Sequence, residues 1–265
     1  DLQYADLASA NLWNAHLAST VLRYADLTDA NLQYANLRFS MDLQYADLTD
    51  ANLQYADLEG ANLEGGHLGN ASLQHANLRN ANLKGTYLQD AKMEDADLEG
   101  ASLRYADLRA VDLQNAFLKD ADLTNANLRY ANLTDATLRD ADLAYADLTD
   151  ANLEFADLRD ANLQYADLED ANLQYANLED ADLQYADMED VKLRNAYLRE
   201  ANLKNADLTD ADLRDANLQN ANFEYTHLGN ANFEDANVGP GTEFSNSYWH
   251  QTIWTDGDRY DSNQA

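Results

Sequence analysis

Residues 46–55 read Ala46-Asp47-Leu48-Thr49-Asp50-Ala51-Asn52-Leu53-Gln54-Tyr55, and this five-residue phrase governs the chain on both sides. Upstream, Leu recurs at Leu2, Leu7, Leu12, Leu17, Leu22, Leu27, Leu32 and Leu37. After one extra residue near Ser40 and Met41 it resumes at Leu43 and holds to Val238, with Met93, Met188, Phe223, Phe233 and Val238 in place of Leu. A second slip in Gly239-Pro240-Gly241 leads on to Phe244, Trp249 and Trp254. Ala stands two places before almost every Leu, and Asp or Asn between them.

A period of five suits neither ordinary element. Successive Leu would step about 140° around an α-helix and circle it. In a continuous strand an odd period throws alternate Leu to opposite faces. The pattern works only if the chain bends once per repeat. Ala and Leu then point inward from a short extended segment, and the remaining residues turn the corner. Repeated bending in one sense makes a solenoid with Ala and Leu inside and the polar positions outside.

The A(D/N)LXX phrase resembles the pentapeptide repeat family, and the resemblance covers about fifty tandem copies from Asp1 to Trp254. It implies an all-β fold, a right-handed quadrilateral parallel β-helix with four repeats per coil. About thirteen coils at the usual strand spacing make a rod on the order of 60 Å long. Residues 1–238 form the β-helix, with a one-residue irregularity near 40–41 where a bulge or kink is expected. Residues 239–265 hold the last repeats and an aromatic C-terminal cap or tail. Thr20, Thr86 and Thr226 at the inner Ala position read as packing variants, and Gly65 and Gly66 as relaxing a corner.

A 20-residue coil places like positions in columns. Tyr145, Tyr165 and Tyr185 share one, with Tyr105 and Tyr225. Tyr55, Phe155 and Tyr175 lie opposite. Asp150, Asp170, Asp190 and Asp210 form a column between them, and Asp120, Asp140, Asp160 and Asp180 another. Asp147, Asp167, Asp187 and Asp207, before Leu or Met, thicken the first acidic column, and with Glu169 and Glu189 make the densest acidic strip. The tyrosine and acidic columns are the candidate interaction faces. The tail residues Phe244, Tyr248, Trp249, Ile253 and Trp254 are candidates for a cap over the last coil or for a dimer interface.

The 265 residues carry 48 acidic and 17 basic side chains, a net charge of −31. Such a chain does not bind nucleic acid or anionic lipid directly. No 18-residue apolar run exists, which excludes membrane insertion as a spanning helix. With no cysteine, disulfides, thiolate metal sites and cysteine nucleophiles are excluded. The five histidines, His16, His67, His75, His227 and His250, are scattered, and no catalytic grouping or phosphate loop appears. No cofactor is expected, beyond weak, diffuse Ca²⁺ binding to the acidic strip.

The expected function is therefore a non-enzymatic, rigid, anionic scaffold whose flat repeating faces meet a protein partner, basic or DNA-binding. The alternative is duplex mimicry, because the resemblance extends to family members that bind DNA gyrase in place of DNA. About 60 Å of duplex carries about 35 charges, close to this rod. Against it, the Leu positions are nearly pure Leu, as in cyanobacterial-type members. A homodimer or end-to-end stacking through the coil ends fits the same features. The absence of an initiating Met points to export, to a periplasm or thylakoid lumen, with a trimmed cytoplasmic protein as the alternative.

Overall fold

A computed structural model of the chain describes residues 1–39 and 41–260. Its logic is visible in one pentapeptide. Leu48 begins a β-turn whose third residue, Asp50, is left-handed at φ 58°, and the Ala51 N–H closes the turn on the Leu48 carbonyl at 3.0 Å. Asp47 N–H donates back to the Ala25 carbonyl at 2.9 Å, while Leu48 and Asp50 donate forward to His67 and Gly69 at 2.6 and 2.9 Å. One donor remains, the Thr49 N–H, and the Asp47 side chain takes it at 3.0 Å. All five backbone N–H groups per repeat are thus satisfied. An aliphatic residue in place of Asp47 would orphan the fourth, which is why Asp or Asn precedes Leu.

The forward and backward bonds make parallel bridges of one residue each, such as Asp47↔His67 and His67↔Tyr87, 20 residues apart. Four bridges and four turns complete each circuit, giving a quadrilateral solenoid. Three extended residues between turns are too few for long strands. Among the described residues the only continuous ones are β1, Thr252–Ile253, and β2, Arg259–Tyr260, an antiparallel pair near the end.

The interior is one unbroken column of Leu and Ala, nearly all 0–2% exposed from Leu22 to Phe233. Each buried Leu contributes roughly 1.5–3 kcal/mol before chain entropy is subtracted. Thr86 and Thr226 occupy the inner Ala position fully buried, and each hydroxyl donates to the preceding turn carbonyl, Leu83 or Phe223. The expected irregularity falls partly on Ser40, outside the described residues. Around it the bridge spacing passes from 20 (His16↔Asn36) to 21 (Val21↔Asp42), and the ladder continues with Met41 fully buried in the Ala column. The slip at residues 239–241 acts likewise, between Asn217↔Asn237 and Asn222↔Glu243.

Between coils, Asn side chains before Leu also bond one another. Asn172 Nδ2 donates to Asn152 Oδ1 at 3.0 Å, and the same oxygen accepts the Glu154 N–H at 3.2 Å. Replacing Asn152 by Ala removes both acceptances and is expected to cost about 1–3 kcal/mol. Asn152→Asp keeps the acceptor and should cost less; urea unfolding of the two variants measures the difference.

Candidate interaction faces

The turn residue at each corner points outward, and its left-handed backbone dictates what occupies it. Asp and Asn tolerate this conformation and recur there. Tyr does not share that tolerance, yet Tyr145, Tyr165 and Tyr185 adopt φ 59°, 59° and 61°. Their rings stack face to face at 4.8 and 4.9 Å, tilted by only 1° and 2°. The spacing equals the rise between paired strands, so the ladder comes from the coil itself. Stacking, worth about 0.5–1.5 kcal/mol per pair, offsets much of the backbone cost.

Tyr105 and Tyr225 share the column but stand apart from this stack, with Asn125 and Asn205 intervening. Instead, Arg104 lies 5.7 Å over the Tyr105 ring and Lys204 5.4 Å over Tyr225. Two further stacks escape a search confined to the middle of the chain. Tyr4, Tyr24 and Tyr45 continue the same column at 5.1 and 5.2 Å, and Tyr34, Tyr55 and His75 stack at 5.0 and 4.8 Å on another corner. The sequence slip at Ser40 hides both from a strict 20-residue count.

The chain passes directly from the Tyr145 corner into Asp147 and on to the Asp150 corner, so the aromatic ladder borders the acidic strip. Asp147, Asp167, Asp187 and Asp207 form consecutive bridges on that face. Each spends one oxygen on the N–H two residues on, at 3.0–3.3 Å, leaving the other outward. Asp150, Asp170, Asp190 and Asp210 are exposed at the next corner, with φ 56–60°. Both acidic columns therefore serve the backbone as well as the surface.

Crowding shows in their protonation. Desolvation, then the charges of Asp207, Asp187, Asp190 and Glu169, push the Glu189 carboxyl above its ordinary range. Asp190 is raised too, by desolvation and by Asp210 and Asp170. Elsewhere burial would raise Asp212, but hydrogen bonds from Arg214 at 2.7 and 2.6 Å outweigh it and hold that carboxyl low. Among the described residues Arg129 approaches the strip at one margin, 3.8 Å from Asp147, and the His227 ring lies 3.6 Å from Asp207 at the other. Among the described residues no three His, Asp or Glu side chains are grouped so as to hold a metal ion.

At the C-terminal end aromatic residues enter the core column. Phe223 and Phe233 are fully buried, Phe244 stacks on Phe223 at 4.9 Å, and Trp254 lies 5.5 Å from Phe233 and 5.0 Å from Trp249. Ile253 pairs backbone with Asn232 in the last bridge. Tyr248 stands apart from this cluster: it occupies the outward position before Trp249, 54% exposed, beside His227.

The pentapeptide repeat model matches residues 1–38, 40–70, 67–104, 101–140, 138–174, 176–215 and 216–237. The chain belongs to the pentapeptide repeat family, whose members fold as right-handed quadrilateral β-helices. Among solved structures, HetL, a pentapeptide repeat protein involved in heterocyst differentiation regulation from the cyanobacterium Nostoc, is 30% identical over 82% of this chain and 92% of its own, with a TM-score of 0.44. A thylakoid lumen member from Arabidopsis thaliana is 38% identical over 37% of this chain and 68% of its own, TM-score 0.36. QnrB1, a plasmid-mediated fluoroquinolone resistance protein, is 18% identical over 64% and 86%, TM-score 0.34. No curated protein matches the sequence. Among the described residues no helix is long and apolar enough to cross a membrane.

The raised carboxyls carry a pH signature. An acid raised by folding penalises the folded state when ionised, a penalty present at neutral pH and relieved as pH falls through the raised value. Glu189→Gln is therefore expected to melt higher than the parent at pH 7, the gap closing as pH descends through the carboxylate range. Calorimetric melts across that range measure it.

Proposed function

We propose that the chain is a non-enzymatic, rigid, anionic scaffold for protein–protein contact. Its contact surface is the face bounded by the Tyr145, Tyr165 and Tyr185 ladder and the Asp150, Asp170, Asp190 and Asp210 corner. The carrying observation is the register of the two: rings at 4.8–4.9 Å run beside carboxylates on the same rungs. A basic partner rich in Arg suits it, because guanidinium groups both stack on Tyr and pair with carboxylates. Repetition along the rod favours partners that engage several rungs at once.

Duplex mimicry is the second reading, favoured by the net charge of −31. It would direct the chain to a DNA-binding enzyme such as gyrase. The aromatic cluster of Phe244, Trp249 and Trp254 supports a further part of the proposal, a cap over the last coil. In a self-associating chain the same cluster would be a dimer contact.

One set of measurements separates these readings. In sedimentation velocity with a fluorescent Arg-rich peptide, the peptide should co-sediment with a monomeric chain. The triple variant Tyr145→Ala, Tyr165→Ala, Tyr185→Ala should weaken it at least tenfold, and a Lys-rich peptide of equal charge should bind less. Equal binding by the triple variant would remove the ladder from the contact surface. Dimeric sedimentation would assign the aromatic end to an interface, and inhibition or protection of gyrase supercoiling at graded concentrations would favour mimicry.

A further inference from the structure

The first aromatic column has a gap. It runs Tyr4, Tyr24, Tyr45, then Gly65 and Gly85, then Tyr105. The two glycines take the same left-handed corner as the tyrosines, at φ 68° and 63°. Where they stand, the surface opens into a notch of about 370 Å³ lined by Tyr45, Glu64, Gly65, His67, Lys84, Gly85, Tyr87 and Tyr105. The two glycines are not equivalent. A Cβ on Gly65 would lie 2.5 and 2.6 Å from Tyr45 ring carbons, so the Tyr45 ring already covers that rung. A Cβ on Gly85 would meet nothing within 4 Å.

The ladder therefore carries no ring at two rungs: at Gly65 the Tyr45 ring, still stacked on Tyr24 at 5.2 Å, leans over the backbone, and at Gly85 the space beside the Tyr105 rung is open. Three coil steps separate the Tyr45 and Tyr105 rings, about 14 Å, and the rung at Gly85, one step from Tyr105, is the open one. On the next face the His67 and Tyr87 rings stack at 4.8 Å and wall the notch from the side. Its charges cancel. Lys84 Nζ sits 3.6 Å from Glu64, and Gln44 and Asn82 also donate to that carboxylate, each at 3.5 Å. In a chain so strongly anionic this is a locally neutral site with several polar groups at its rim.

We propose that the notch at Gly85 is a binding site for one uncharged planar aromatic ring bearing a polar substituent, a phenol or an indole. The ring takes the open rung at Gly85 and stacks on Tyr105, and its hydroxyl or N–H reaches the polar rim formed by Glu64, Lys84 and His67. The chemistry is that of the column itself: where the chain lacks its own ring, a ligand supplies one. This site is independent of the acidic face and of the scaffold proposal.

The fold provides the test. Tyr occupies equivalent corners at φ 56–61° throughout the column, so Gly85→Tyr is tolerated and fills the vacancy from within. The probe is p-cresol, followed by ligand-observed NMR with the full chain. Binding is expected to the parent and to Asn205→Tyr, which adds a ring to the same column far from the notch. It is expected to disappear in Gly85→Tyr, and to weaken about fivefold or more in Tyr105→Ala, which removes a wall without filling the site. The saturated analogue 4-methylcyclohexanol should bind at least tenfold more weakly than p-cresol. Absence of p-cresol binding to the parent, undiminished binding to a folded Gly85→Tyr chain, or equal binding of the saturated analogue would each overturn the proposal.

Discussion

A left-handed residue at every fifth position is the constraint from which the rest of this structure follows. It lets an L-amino-acid chain turn a corner after three extended residues, and it does so four times per coil. The corner leaves one backbone donor without a carbonyl, and the Asp or Asn before each Leu accepts it, as Asp47 does for Thr49. With that donor satisfied, the interior is free to be apolar throughout. Leu and Ala then stack coil on coil, and the fully buried Thr86, Thr226 and Thr252 each satisfy their hydroxyl on a backbone carbonyl.

The same constraint shapes the outside. A position that must be left-handed selects Asp, Asn and Gly, and a position that must cap an N–H selects Asp and Asn. Much of the acidity is thus a by-product of backbone geometry, and the choice of Asp over Asn is where the surface retains freedom. The Asp150 to Asp210 column uses that freedom in one direction, accepting the desolvation and then the mutual repulsion that lift Asp190 and Glu189. The tyrosines use the corner against its preference: about 1–2 kcal/mol of left-handed backbone cost is offset by rings that fall into register at the coil spacing. A surface costly to its own fold, repeated on consecutive rungs, is consistent with the proposed contact role.

The period of five already excludes helix and flat sheet and places Leu and Ala inside, and the family resemblance of the A(D/N)LXX phrase implies the coil length and hence the columns. The stack of Tyr145, Tyr165 and Tyr185 was legible because those residues lie 20 apart with no slip between them. The Tyr4–Tyr24–Tyr45 stack was not, since the extra residue near Ser40 breaks the count. Spacing also could not tell that Tyr105 and Tyr225 share a column without sharing a stack, because contact depends on the intervening residue. Gly65 read as a relaxed corner, whereas the backbone there matches its neighbours and the glycine makes room for the Tyr45 ring. Tyr248 looked like one more member of the aromatic end until its alternation placed it outward.

Frame and charge are separable: left-handed corners and capped donors hold the solenoid, and under the proposed function the charge at the corners meets a partner. The most direct test is urea unfolding of a variant with Asp150, Asp170, Asp190 and Asp210 all replaced by Asn. Asn keeps the left-handed preference and removes only charge, so an unchanged or higher midpoint is predicted, with the same cooperativity as the parent. A midpoint well below the parent would mean that the carboxylates themselves hold the coils together, and would contradict the account.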